Sequence, residues 1–431
     1  MTTVFLFHRD LRLVDHNGLY AAHRLGNPVL PLFIFTPQQV TTNPLKSNAA
    51  IQFMLESLEE LSSELRAAGG KLHFAYGDTV EVLQSLHRRR PITAVVECRD
   101  HTPFAKRRQA AVAKLCEKLD AEHVLVDDHY ILPPGSVHTG TGRVYQKFTP
   151  FYEHVRHKDV AEPRHGIPDI KWARLPVTGA KGSRHGRGHT RRVQKFRGEV
   201  MLEAMVRRLC PRPNPDIAVH GGRKNALALL KDLPTDYANT RDTPALPTSM
   251  LSAHNHFGTV SIREVYAAAK KKGMPEFVRQ LYWRDFYGHL MDAFKDLYGV
   301  EAYEFEADGP KQSEKQKKAF RDWCRGTTGY PMVDAGMRQL LKTGWMHNRV
   351  RMVVASWLTK DMGVHWRLGE RFFAQHLVDY DPAQNMMNWI NVASRLPFGM
   401  APFRRLDPDR AAEKHDREGI YVDRWLGAEE K

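Results

Sequence analysis

Cysteine is scarce in this chain, with four in 431 residues. Cys98, Cys116, Cys210 and Cys324 stand far apart, and no two form a CxxC pair. That spacing excludes a disulfide framework, a zinc ribbon or an iron–sulfur cluster held by one short motif, so no metal is expected. It fits a reducing, intracellular compartment, and the choice between cytoplasm and nucleus stays open. Long apolar runs are also missing: nothing approaches the twenty or so residues a membrane span needs. The opening MTTVFLFHRDLRL is broken by charge too early to read as a signal peptide. Neither GxGxxG nor GxxxxGK followed by Ser or Thr occurs, so the usual dinucleotide and P-loop phosphate sites are absent.

What the chain does have is positive charge. Its 64 basic residues outnumber 49 acidic ones, for a net charge of +15. Such an excess is rewarded by phosphate neutralisation, so a nucleic acid is the first partner to consider. Part of it is concentrated between Lys181 and Arg197, where seven Lys/Arg occur with no acid. That run is poor in apolar residues and reads as a solvated loop within reach of a phosphate backbone.

Three regions follow from the patterning. Over residues 1–130, short β-rich runs (4–7, 29–35, 71–76, 94–98 and 123–128) alternate with helical periodicity, such as Ile51, Met54, Leu55, Leu58, Leu61 and Leu65. The alternation predicts an α/β domain with a parallel, Rossmann-like sheet covered on both faces. Residues 131–235 are rich in Pro, Gly and basic side chains and read as a connector between domains, with one helix near 198–209. From 236 to 431 strand signals vanish. Periodicity over 264–297, 313–325, 331–342, 347–361 and 367–378 predicts an all-α domain.

The chemistry concentrates between Thr328 and Asn388. This stretch is apolar at helical spacing, yet it carries Trp345, His347, Asn348, Arg349, Arg351, Asp379, Asp381 and Asn385. Buried amides, guanidinium groups and carboxylates must be partnered, so a large polar ligand is expected among these helices.

Several segments resemble the photolyase/cryptochrome family. They are TSMLSAHNHFGTVSIREVY (248–266), FVRQLYWRDFYGHL (277–290), TGYPMVDAGMRQL (328–340), TGWMHNRVRM (343–352), HWRLGERFF (365–373) and LVDYDPAQNMMNW (377–389). HRDLRLVDHNGL (8–19) and QKFTPFYEHV (146–155) fit the same family, in order and with spacing preserved. The resemblance implies FAD in the helical domain and an optional antenna chromophore, a folate or a deazaflavin, on the α/β domain. It also implies UV-damaged DNA as partner, and a monomer. Within it, cyclobutane pyrimidine dimer photolyases are the nearest in motif, a carbon–carbon lyase activity.

Residue by residue, the resemblance assigns Tyr237, Thr248, Ser249, Met250, Leu251 and Ser252 to the FAD phosphates. Hydroxyls and N–H groups opening a helix suit a pyrophosphate. Arg351, Asp379, Tyr380 and Asp381 are assigned to the flavin side, and Asn385 to flavin N5. Trp389 and Trp366 match the inner members of an electron-supplying tryptophan chain. The third position falls near Ser313, leaving Trp323 or Tyr303 as substitutes. Arg241, Gln280, Trp283, Arg284, Asn348 and Arg349 match positions that face DNA or lesion, with Gln280 also in a catalytic role.

Four departures matter. Gln280 stands where many cyclobutane-dimer enzymes have glutamate, and Asn391 where a second pocket aromatic is usual. Asn348 and Met352 occupy the positions of the two histidines of the six-four class, whose mechanism needs a proton donor. The sequence ends at Lys431, from which no signalling tail is expected. The antenna region, for instance Phe33 to Thr36 and Glu97 to Arg99, matches no one chromophore pattern. Light-driven repair is the expected function, with a repair-inactive blue-light receptor or a six-four enzyme as alternatives.

Overall fold

The computed structural model describes residues 1–175, 195–294, 311–394, 401 and 404–427. The basic run is therefore seen only from 195 onward, and Tyr303 lies outside the described residues.

A six-stranded sheet organises the N-terminal part: β1 Thr2–Phe7, β2 Val29–Phe35, β3 His73–Tyr76, β4 Ile92–Cys98, β5 Glu122–Val126 and β6 Glu199–Val200. The order is β5-β4-β1-β2-β3-β6. The first five strands run parallel, and only β6 joins antiparallel to β3. β1 and β2 are buried at every position, because helices cover both faces of a central parallel strand. One of those helices, Asn48–Ala67, shows why the sequence folds this way. Ser47 caps it by accepting from Ala50 N at 3.2 Å, and Leu55, Leu58, Leu61 and Leu65 line its buried face.

The connector is more structured than its composition suggests. Helices Phe148–Val155, Leu202–Leu209 and Arg223–Lys231 interrupt it, and it also supplies β6. Leu202, Met205, Leu209, Ile217 and Val219 belong to the core beside the Asn48–Ala67 helix. Leu202–Leu209 is the helix expected near 198–209, while Phe148–Val155 and Arg223–Lys231 were hidden among prolines and basic side chains.

Beyond residue 235 the described elements are helical. The region predicted as 264–297 divides into Ile262–Lys271 and Pro275–Ala293, separated at Gly273 in a left-handed conformation. Then follow Glu314–Arg325, Pro331–Thr343, Asn348–Ser356, Trp366–His376 and Pro382–Val392. A π-helical turn, Trp357–Asp361, extends Asn348–Ser356.

The two domains are joined by buried charge. Arg12 from the α/β side and Arg263 from the helical side share the Asp128 carboxylate, and Arg263 Nε also donates to Asp15 at 2.9 Å. Arg12 reaches the Gly258 carbonyl at 3.2 Å. Gly258 has φ +62, and a Cβ there would stand 2.4 Å from the Arg9 carbonyl oxygen, so this junction admits only glycine.

Candidate functional site

A cavity of about 320 Å³ opens inside the helical domain. Its size suits a cofactor, since such sites occupy roughly 300–1,000 Å³. Tyr237, Arg241, Thr248, Ser249, Met250, Leu251 and Ser252 line one side. Gln280, Arg284, Asn348, Arg351, Asp379, Asp381, Asn385 and Trp389 complete it among the residues singled out from sequence.

The helix Pro382–Val392 aims three of these side chains. Asp381 caps it, its Oδ1 accepting from Ala383 N at 3.0 Å and Gln384 N at 3.2 Å. Oδ2 accepts from Arg9 Nη1 at 2.7 Å and lies 3.2 Å from His256 Nδ1. Burial alone would raise this carboxyl, but the His256 contact and the Arg9 charge hold it well below the usual carboxylate range. One turn on, Asn385 Nδ2 donates to Glu370 Oε1 at 3.2 Å. With its N–H group so engaged, the amide has Oδ1 left as an acceptor. Another turn on, Trp389 lies edge-to-face with Phe373 at 5.2 Å and Trp323 at 6.1 Å.

Gly369 makes that packing possible. A Cβ there would fall 2.2 Å from Trp389 Cη2. Gly369→Ala is expected to destabilise the fold by about 1–3 kcal/mol through overpacking. The check is the melting temperature together with the FAD retained on purification. Unchanged values for both would remove this contact from the positioning of Trp389.

On the facing wall Arg351 Nη2 donates to both Asp379 oxygens at 3.1 and 2.8 Å, and Arg351 Nε is held by the Met346 carbonyl at 2.8 Å. The Thr248–Ser252 segment carries Met250 at φ +51, a left-handed conformation that is costly for a side chain of this size. Its strain turns the chain into the short helix Ser252–Phe257 at the cavity wall.

Four expected residues stand elsewhere. Tyr380 does not line the cavity; its hydroxyl donates to Glu370 Oε1 at 3.0 Å and so steadies the group that holds Asn385. Trp366 is buried beside His365, one helical turn from Gly369. Trp283 stacks on Phe148 at 3.7 Å and 9°, so one ring face is already covered. Arg349 forms a two-point pair with Asp242 at 2.7 and 3.0 Å and leaves the cavity to its neighbour Asn348. Arg241 lies at the wall with Glu276 at 3.3 Å, and Gln280 Nε2 donates to the Glu276 carbonyl at 3.2 Å.

Sequence reasoning missed Asn255, His256, Gln384 and Asn388, all at the cavity, and Arg9 and Glu370 behind it. Polar residues inside a short helix beside the TS-x-LS segment were the available signal for the first two. Nothing local marks Arg9, which reaches Asp381 from 372 positions away.

At the carboxyl ends of β1 and β4, where the strand order reverses, an α/β sheet ordinarily keeps a ligand crevice. Here it measures about 20 Å³, room for a water. Arg9 pairs with Asp100 at 3.1 Å across it, the His8 ring that lines it is held by Glu97 at 2.7 Å, and Arg99 pairs with Asp127 at 3.2 Å. Asp10, His16 and Cys98 place three ligand-type atoms within 4.8 Å of one another nearby. His16 Nδ1 accepts from Leu19 N at 3.4 Å, which puts the ring proton on Nε2 toward Asp10.

With this geometry in hand, comparison with known proteins is decisive. The family described as the FAD binding domain of DNA photolyase matches residues 277–430, and that described as DNA photolyase matches residues 3–168. A deoxyribodipyrimidine photo-lyase of Agrobacterium fabrum is 33% identical, over 99% of this chain and 87% of its own length. The chain belongs to the DNA photolyase family. An archaeal photolyase from Sulfolobus tokodaii, solved with two FAD molecules, has a TM-score of 0.81 at 35% identity, covering 99% of this chain and 90% of that one. A bacterial class III photolyase from Agrobacterium tumefaciens gives 0.84 at 31%, covering 98% and 86%.

The cofactor of this photolyase-family site is FAD, and the cavity fits it. Asn255 Oδ1 is buried at the wall without a hydrogen-bond partner, an acceptor awaiting a donor. Tyr237 and Thr248 to Ser252 would hold the phosphates, while Arg351, Asp379, Asp381 and Asn385 would hold the isoalloxazine side. Among the described residues no helix is long and apolar enough to cross a membrane.

Proposed function

We propose that this protein uses light to split cyclobutane pyrimidine dimers in DNA. The observation that carries the reading is that Gln280, Asn348 and Met352 share one cavity with Asn385 and Trp389. FAD bound there in its reduced form would supply light-driven one-electron chemistry to the cyclobutane ring. Asn385 presents its amide oxygen, which would favour a protonated, reduced flavin held at this wall. Gln280 offers a carboxamide to a thymine edge, and because it carries no charge the repair is slower than with glutamate. Arg241, Arg284 and Arg349, within a chain of net charge +15, draw the DNA backbone. A damaged pair costs least to flip out of the stack, so it is the pair that enters.

Six-four chemistry is disfavoured by Asn348 and Met352, neither of which donates a proton as histidine would. The neighbouring His347 does not replace them. Burial pushes it down to about 4, leaving it neutral at pH 7, and its Nδ1 accepts from Arg349 N at 3.2 Å. We take the working form to be a monomer.

A receptor that binds FAD without repair is the second reading. It is favoured by Asn391 and by the coverage of Trp283 by Phe148. One assay separates the two. An oligonucleotide carrying a single cyclobutane thymine dimer is incubated with the protein in blue light and in the dark. Thymines restored only in light support repair; an intact dimer beside a flavin that photoreduces supports the receptor.

A further inference from the structure

We propose that the edge of the sheet formed by the amino ends of its strands is a second DNA-binding surface, which holds the phosphate backbone of a lesion-free duplex on the side of the molecule away from the flavin cavity. Segments 66–71, 87–90 and 171–174 meet there and hold seven Lys/Arg and no acid. Their hydrogen bonds place them together. The Lys171 carbonyl accepts from Val29 N, at the start of β2, at 2.8 Å; Trp172 Nε1 donates to the Ala68 carbonyl at 2.9 Å; and Arg90 Nη1 donates to the Arg174 carbonyl at 3.0 Å. Arg66, Lys71, Arg88, Lys171 and Arg174 are exposed, and among the described residues none of the five pairs with a carboxylate. Their neighbour Arg89 pairs with Glu199 at 3.3 Å.

Two simpler accounts of this charge fall short. Cations in a last helical turn offset the macrodipole, which accounts for Arg66 on Asn48–Ala67 and Arg88 on the helix Thr79–Arg89. Lys71, Lys171 and Arg174 lie on no helix, so that role leaves them over. Ordinary solvated charge would be interspersed with acids, and these three segments have none. The composition also selects the partner. None of the exposed large apolar side chains falls in these segments, so a membrane or an apolar protein face finds no anchor. A single strand would need exposed rings to stack on, and the one tryptophan, Trp172, is half-buried and held by Ala68. A duplex backbone needs neither, only closely spaced cations.

Position sets this surface apart from the cavity. The helices Asn48–Ala67 and Thr79–Arg89 pack on opposite faces of the sheet, and segment 171–174 crosses the strand ends between them. The cationic stripe therefore spans three layers, roughly 20 Å between the outer two at about 10 Å per layer. Over that length a duplex presents about twelve phosphates, at one per roughly 1.7 Å. The carboxyl ends of the strands face the other way, since Arg9, two residues beyond β1, pairs with Asp381 at the cavity. β2 has seven residues, so the two ends of the sheet stand about 20 Å apart. A straight duplex docked at the cavity mouth cannot also lie along the far edge, so the edge holds a second stretch of DNA.

The inference shares with the proposed function only the DNA partner, and needs neither lesion nor light. The test takes the FAD-loaded protein with a lesion-free duplex, acetylates exposed lysines with acetic anhydride, and reads Lys71 and Lys171 by peptide mass spectrometry. With duplex bound, both lysines should react about tenfold more slowly at about 50 mM salt, and the protection should vanish by about 200 mM as counterions compete. Arg88→Gln combined with Arg174→Gln leaves both reporter lysines in place. It should weaken their protection and make the slope of log affinity against log salt shallower by about 2, at roughly 0.9 per lost phosphate contact. Melting temperature and FAD content should stay as they are. Reporters that remain fully reactive under saturating duplex, or protection unchanged in the double variant, would overturn the surface. Protection by duplex RNA and not by duplex DNA would overturn the choice of partner. Dimer splitting is read separately in light. Protection without splitting refutes only the repair reading, and splitting without protection refutes only this surface.

Discussion

Asp128→Ala should lower the unfolding free energy by about 3–5 kcal/mol, because it leaves buried guanidinium groups without their counter-charge. Asp128 is 4% exposed and serves both Arg12 and Arg263, with only Asp15 left to receive Arg263 after the change. The measurement is urea denaturation, with a lower midpoint at an unchanged slope. A shift below 1 kcal/mol would show that water replaces the carboxylate at the junction. The same group sets a pH dependence. Burial alone would raise the Asp128 carboxyl, but Arg12, His16 and Arg263 hold it below the ordinary carboxylate value. A carboxyl depressed in the folded state contributes its full stabilisation above the unfolded value, near 3.9. That contribution disappears as pH falls through the lower, folded value. The unmodified protein should therefore lose stability in acid, and Asp128→Ala should lose less over the same interval.

Asn385→Leu should make the reduced flavin reoxidise in air about ten- to a hundredfold faster. The leucine keeps the branched shape of the amide, at a larger volume, but removes its oxygen, and a hydrogen bond to a charged group contributes roughly 1.5–3 kcal/mol. The change also strips Glu370 of the Asn385 N–H, leaving the Tyr380 hydroxyl as its remaining side-chain donor. Burial already pushes the Glu370 carboxyl up, so its protonated form gains further. Anaerobic photoreduction followed by stopped-flow mixing with oxygen reads the rate. Reoxidation at the unmodified rate would take Asn385 away from the flavin and leave it as a helix-packing residue.

Local sequence carried much of this site because its residues come in short, ordered blocks. Arg351, Asp379, Asp381, Asn385 and Trp389 lie within 39 positions of one another, on the helices Asn348–Ser356 and Pro382–Val392 and on the turn leading into the second. Tyr380 shows the limit of reading by adjacency. Between two cavity residues in sequence, it points away and braces Glu370. Trp283 shows another, since its covered face depends on Phe148, brought in from the connector.

From the amino-acid order alone one can read the parallel α/β domain, the helical domain and the basic surplus, while most of the cavity residues were named through the resemblance to the photolyase/cryptochrome family. Hydrophobic period and short-range spacing are local quantities, so they survive without the fold. Only tertiary structure decided that Arg9 grips Asp381, that Asp128 joins Arg12 to Arg263, and that the crevice at the sheet's reversal is filled by the chain's own ion pairs. It alone placed Trp323 beside Trp389. Each of these is a contact between residues distant in the chain or on different helices. Its energy comes from burial and geometry at the meeting point, which no single segment encodes.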